Sequence, residues 1–295
     1  MKKRWLLMAI ITCFVSIACF SQESKTLKRK VAIGRFSNET KYSKSVFYDK
    51  DNDPMGKQAS DILSSRLAQS NKFILIERQD YDKIVNELNT TQQVSQNIGA
   101  DYVIIGSITE YGRKTIGSTG VFTDKKEQIV EATVSVRLVD VSTGLVIYSE
   151  EAKGEASVED KKVLGIGKTA DFDATLSDKA ISAAISKLVE NIINKCMDND
   201  WKAYFLSVED NVYIISGGKS QGIAVGNEFD VIEKGKKVKN PQTGIMVNLP
   251  GKKVAKFKVT QIYGSTIQDE VSMGDLTDGK IDIQNLDKYY ITEIK

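Results

Sequence analysis

Between Phe73 and Ser149 the hydrophobic period switches from two to 3.6 and back. A chain that does this must lay at least one helix on a sheet. Phe73-Ile74-Leu75-Ile76 is an apolar run of strand length, and Tyr81, Ile84, Val85 and Leu88 then recur on one helical face. After a polar connection comes Gly99-Ala100-Asp101 and a buried-type strand, Tyr102 to Ile108. Val134 to Val141 then meets Leu145 to Tyr148 across Ser142-Thr143-Gly144, the signature of a hairpin. Upstream, Val31 to Phe36 reads as a first strand, and Ala59, Ile62, Leu63, Arg66 and Leu67 as a helix ending near Ser70-Asn71. Ala180, Ile181, Ala184, Ile185, Leu188, Val189, Ile192 and Ile193 give the segment Ser177 to Lys195 a broad apolar helical face suited to packing on the sheet.

The residues that are missing narrow the chemistry. Among 295 residues there is no histidine, which removes the commonest general base and metal ligand together with every Ser-His or Cys-His pair. Three cysteines, Cys13, Cys19 and Cys196, are too few for a metal cage or a disulfide framework. A net charge of +2 gives no reason to expect nucleic acid. Gly165-Ile166-Gly167-Lys168-Thr169 imitates the end of a phosphate-binding loop. Lys162 stands where the full pattern needs its first glycine, and no strand–loop–helix context surrounds it. The expectation is a protein that is not an enzyme, with no cofactor and no metal.

The first 21 residues read as a signal peptide: Lys2, Lys3 and Arg4 precede an apolar Leu6–Ala18 segment too short to span a bilayer. Two exits are open. Cleavage before Cys19 would give an acylated lipoprotein, although Ser16 stands where such a box usually has a large aliphatic residue; cleavage after Ser21 would give a plain exported protein. Lys25 to Lys30 then reads as a short basic tether, and the polar loop Ser37 to Pro54 carries Tyr42, Val46, Phe47 and Tyr48.

Two stretches alternate apolar with polar over about ten residues per strand, the length that crosses a bilayer at a tilt. In the first, 113–139, Val130, Ala132, Val134, Val136 and Leu138 alternate with Glu131, Thr133, Ser135 and Arg137, and Thr123 to Gln128 would be the turn. In the second, 150–176, Ala152, Gly154, Ala156 and Val158 alternate with Lys153, Glu155, Ser157 and Glu159, and Asp160-Lys161-Lys162 would turn into Leu164 to Ala174. Such hairpins enter lipid only where several subunits pool them into one closed barrel, because isolated edge amides would go unsatisfied. The other reading is a soluble ribbon whose apolar face covers a core or a neighbouring subunit. From Trp201 onward the chain is all-β, with short strands at Val212, Glu228, Val254 and Ile291 punctuated by Gly217-Gly218, Gly226, Asn240 to Gly244 and Gly274-Asp275. That spacing suggests a small SH3-like barrel.

Phe73 to Gln79 with Ile84-Val85-Asn86-Glu87, then Gly99 to Ile108, then Val136 to Gly144, resembles the CsgG family, the curli secretion channels, over roughly Lys30 to Asn194. The resemblance implies an outer-membrane lipoprotein whose subunits form a homo-oligomeric ring. Each subunit would donate two hairpins to a barrel that passes unfolded protein subunits by diffusion, with periplasmic accessory proteins as partners. It places the pore constriction in the aromatic loop after the first strand, making Tyr42, Phe47 and Tyr48 the candidates. The segment from Val212 to Phe229 is similar to the C-terminal barrel of the flagellar T-ring protein, which implies an interaction module in the periplasm.

The resulting expectation is an α+β protein in three parts: a signal peptide (1–21), a domain with two hairpins (22–198) and a small barrel (199–295). Cys19 would carry lipid. Val130, Ala132, Ile166 and Phe172 would face acyl chains, while Glu131, Glu155, Glu159 and Asp171 would line water. The location would be the outer membrane and periplasm of a Gram-negative cell. The rival is a periplasmic or lipid-anchored scaffold whose hairpins conduct nothing.

Overall fold

The computed structural model describes residues 26–40, 53–78, 99–119, 123–163, 173 and 175–294. Two hydrophobic cores organise them. The first belongs to a five-stranded sheet built from β1 (Arg29–Asn38), β2 (Phe73–Ile76), β3 (Tyr102–Thr119), β4 (Thr123–Asp140) and β5 (Val146–Val163), in the order β2-β1-β3-β4-β5. The strand β1 runs parallel to both of its neighbours, whereas β3, β4 and β5 form an antiparallel meander. Among the described residues two helices, α1 (Pro54–Gln69) and α2 (Thr175–Met197), pack in this domain.

Local chemistry explains these elements. Pro54 opens α1, where its missing N–H costs nothing, and the Asp53 side chain caps the helix by accepting from the Gly56 amide at 2.9 Å. The other Asp53 oxygen accepts from the Asn38 amide, tying the start of the helix to the end of β1. Ala59, Leu63 and Leu67, at spacing four, are fully buried against the sheet. The β4–β5 turn is the one the sequence announces. Asp140 accepts from Ser142 Oγ at 2.6 Å and from the Thr143 amide at 3.0 Å, and Gly144 takes a left-handed φ of +70°.

The meander departs from the expected hairpins. The strands β3, β4 and β5 are each 18 residues long. Thr123 to Gln128, expected to be a turn, lies within β4, and Asp160-Lys161-Lys162 lies within β5. Those polar residues pair with one another across the two strands, Asp124 with Lys162 and Lys126 with Asp160. Cross-strand pairing, not local turn preference, decides their conformation. The expected return strand after Val163, apart from Asp173, lies outside the described residues, as does the helix read at Tyr81 to Leu88.

The second core belongs to a seven-stranded sheet made from β6 (Lys202–Ala203), β7 (Phe205–Glu209), β8 (Val212–Ser216), β9 (Glu228–Glu233), β12 (Lys252–Tyr263), β13 (Val271–Gly279) and β14 (Tyr289–Thr292). Its order is β6-β14-β9-β12-β13-β8-β7. The end strands β6 and β7 are separated only by Tyr204, so the sheet curls until its edges nearly meet, as a small barrel does. Trp201 stacks on Phe229 at 5.4 Å, and Phe205 meets Phe257 edge-on at 6.2 Å. Between β9 and β12 a separate two-stranded ribbon stands out, formed by β10 (Lys237–Lys239) and β11 (Met246–Asn248).

Leu27 belongs to this second core, not to a free tether. The Lys28 amide donates to the Gln221 carbonyl at 2.8 Å, which pins the chain to the barrel just before β1 begins in the first domain.

Candidate functional site

The antiparallel meander has two unlike faces. On one face Tyr111, Val130, Ala132, Val134, Val136, Leu138, Ala152, Gly154 and Ala156 share a register, and α2 lies across them. The closest approach is at Gly154: a Cβ there would sit 2.0 Å from the Ala180 carbonyl oxygen and 2.4 Å from the Ala184 nitrogen. The small residues at Gly154, Ala180 and Ala184 are what let the helix backbone touch the strand. Tyr111 and Ser177 share a hydroxyl hydrogen bond of 2.5 Å, and Gln128 accepts from the Asp173 amide at 3.0 Å, so the helix is also fixed by polar contacts at its start.

Val130 and Ala132, expected to face lipid, are 0% and 1% exposed core residues. The helix that follows the hairpins occupies the surface they would have offered to acyl chains. Ile166 and Phe172, the other two residues expected there, lie outside the described residues.

The opposite face of the meander carries charge. Glu131 lies directly across from Glu155, and Glu127 across from Glu159. Like charges facing one another on adjacent strands repel, and Lys153 stands beside one pair, its Nζ 2.9 Å from Glu131. The hydrogen bond to Glu131 holds the Lys153 ammonium above its ordinary pKa. Thr133 donates to Glu110 at 2.9 Å beside the bulge that follows Ile108, extending the polar row onto β3. Glu131, Glu155 and Glu159 therefore all point to the uncovered side. Asp171 is outside the described residues, as are Cys19, Tyr42, Phe47 and Tyr48.

Beyond Val130 in the hairpin arm formed by β3 and β4, Arg113, Lys114, Thr115 and Ile116 of β3 are exposed, while Lys126 and Glu127 of β4 are half-buried and Gln128 is buried. A strand pair that crosses lipid presents an outward apolar band about 25 Å tall. Among the described side chains of this arm past Val130, Ile116 and Ile129 are the large apolar ones.

A cleft of about 630 Å³ separates the turn Asp140–Ser142 from the barrel edge at Tyr204 and Leu206. Its floor includes the buried Arg29, whose terminal guanidinium nitrogens donate to the Leu27 carbonyl, to the Asn199 carbonyl and to Glu293 at 2.7 Å. Glu293 also accepts from the Trp201 amide at 3.1 Å. Sequence reading missed this cluster because its members lie up to 264 positions apart. Among the described residues no group of three His, Cys, Asp or Glu side chains could hold a metal ion, and no helix is long and apolar enough to cross a membrane. Cys196 is fully buried in the first core, where burial pushes its thiol up to about 12.

The family model described as curli production assembly/transport component CsgG matches residues 15–225. A protein of Neisseria meningitidis serogroup B named "Putative lipoprotein NMB1126/NMB1164" is 29% identical over 189 residues, which cover 63% of this chain and 84% of that one. Among solved structures, the PelC dodecamer from Paraburkholderia phytofirmans is 20% identical, covering 55% of this chain and 87% of its own at a TM-score of 0.27. Lipoprotein GNA1162 from Neisseria meningitidis is 15% identical, covering 58% and 99% at a TM-score of 0.29.

Proposed function

The chain belongs to the CsgG family, and from that premise we propose that it is a non-enzymatic scaffold of a Gram-negative cell envelope. It assembles as a homo-oligomer on the periplasmic side of the outer membrane, held there through Cys19, and serves an export or assembly apparatus without conducting anything itself. What supports scaffold over pore is the occupied apolar face of β4 and β5. Inserting that face into lipid requires α2 to leave it, which returns Leu176, Ile181, Ile185, Leu188 and Ile192 toward water. At roughly 1.5–3 kcal/mol per aliphatic side chain, losing even half of that face is comparable with the whole net stability of a domain, about 5–15 kcal/mol.

The channel is the second reading, favoured by the family's transport role and by strands long enough to span a bilayer. In it Glu131, Glu155, Glu159 and Asp171 line water and Tyr42, Phe47 and Tyr48 narrow the lumen. Analytical ultracentrifugation of the mature chain carrying Cys19→Ser separates the two. The scaffold sediments as an oligomer in plain buffer. A protein that stays in solution only with detergent supports the channel, and a monomer contradicts both.

A further inference from the structure

We infer that the β10–β11 ribbon is a membrane-docking element that lays an apolar face on an anionic phospholipid surface. The register pairs Val238 with Val247 and Lys239 with Met246. Because side chains alternate across a strand, Val238, Ile245, Val247 and Leu249 share one face, while Lys237, Lys239 and Met246 share the other. The apolar four are 40%, 65%, 43% and 44% exposed, and the ribbon has no third strand or helix over them among the described residues. An isolated two-stranded ribbon is marginal in water and gains order from whatever covers it.

Charge identifies the cover. From Lys234 to Gln268 the chain holds eight lysines and no Asp or Glu, within a protein of net charge +2. Two of the eight are engaged by acids of the barrel, Lys253 with Asp230 at 2.5 Å and Lys258 with Glu228 at 3.2 Å. A third, Lys234, donates to the Asp287 carbonyl and lies over the Tyr204 ring. Lys236, Lys237, Lys239 and Lys252 are exposed and form no ion pair among the described residues. Four apolar side chains beside four lysines match an anionic interface: the hydrophobes enter the acyl boundary and the lysine stems extend along it to reach phosphates.

The path of the chain brings this element to a membrane. Leu27 sits in the barrel core, and Cys19 is eight residues upstream, at most about 28 Å of extended chain. On the lipoprotein reading above, on which this step rests, the barrel is the domain nearest the bilayer. The ribbon then supplies the second signal that a stable membrane attachment needs beside an acyl group.

The test uses the full mature chain with Cys19→Ser, so that no acyl chain contributes. It is sedimented with phosphatidylcholine vesicles, either pure or mixed three to one with phosphatidylglycerol. The expected result is binding to the anionic vesicles alone, weakening as salt is raised. Lys236→Glu with Lys237→Glu and Lys239→Glu should reduce it about a hundredfold, at about fivefold per lysine lost. Ile245→Asp with Val247→Asp should abolish it even at low salt, while circular dichroism and the melting temperature of both variants stay those of the parent. Equal binding to both vesicles, or binding that survives either variant, overturns the inference. So does sedimentation without vesicles that the ribbon variants abolish, which would make the partner a second copy. The oligomeric state of the Cys19→Ser protein in buffer is read separately, so scaffold and ribbon can fail independently.

Discussion

Gly154 is the point on which the helix-on-sheet packing turns, since the Ala180 carbonyl oxygen already fills the space a Cβ would take. No rotamer relieves a contact with backbone, so Gly154→Val must push α2 away from β5. A loss of about 2–3 kcal/mol is expected, read as a lower urea midpoint at unchanged slope. A variant as stable as the parent would mean that the helix does not lie on this strand. Cys196 gives a pH test. Its thiol is raised by burial from an ordinary 9.0 to about 12. A group whose pKa is raised on folding stabilises the fold below its unfolded value, and that contribution is lost as pH climbs through the folded value. Stability of the parent relative to Cys196→Ala should therefore be constant below pH 9 and decline between about pH 9 and 12, measured by urea unfolding at each pH. A flat difference across that window would contradict the burial. That Cys196 is packed rather than reactive is legible from its place at the end of an apolar helical face. The tight approach at Gly154 is not, because glycine in an alternating strand says only that something is near.

Among elements, those set by their own period were the readable ones. The strand β2 and the helix α1 stand where Phe73–Ile76 and the Ala59, Leu63, Leu67 spacing put them. The ends of β3, β4 and β5 were not readable, because Thr123–Gln128 and Asp160–Lys162 have turn-like polarity and become strand through pairing with β3 and with each other. The Asp53 cap is a local device that ties two elements. Removing it in Asp53→Ala strands the Gly56 and Asn38 amides and should cost about 1–2 kcal/mol, seen as a lower melting temperature that Asp53→Asn largely restores. An unchanged melting temperature in the alanine variant would show that the cap does not hold α1.

For the whole molecule, two hydrophobic cores meet near residue 199, where the patterning changes from mixed to all-β. Their coupling was not visible in the sequence. Leu27, one apolar residue in a basic run, plugs the barrel core, and Arg29 joins Leu27, Asn199 and Glu293 across the boundary. Arg29 is buried but Glu293 is about a third exposed, so removing Arg29 costs less than breaking a fully buried pair, about 1.5–3 kcal/mol for its charge-assisted hydrogen bonds. Arg29→Ala should therefore lower stability by that order and split one calorimetric transition into two, whereas a single unshifted transition would show that the cores are not coupled there. The proposed scaffold role belongs to the same scale, because α2 covers the apolar face of β4 and β5 within the single chain. Planar-bilayer recording of the purified oligomer, reconstituted with its native N-terminus, tests this most directly. The account predicts a silent membrane from a well-formed oligomer, and stable stepwise currents that change when Glu155 is replaced by Lys would contradict it.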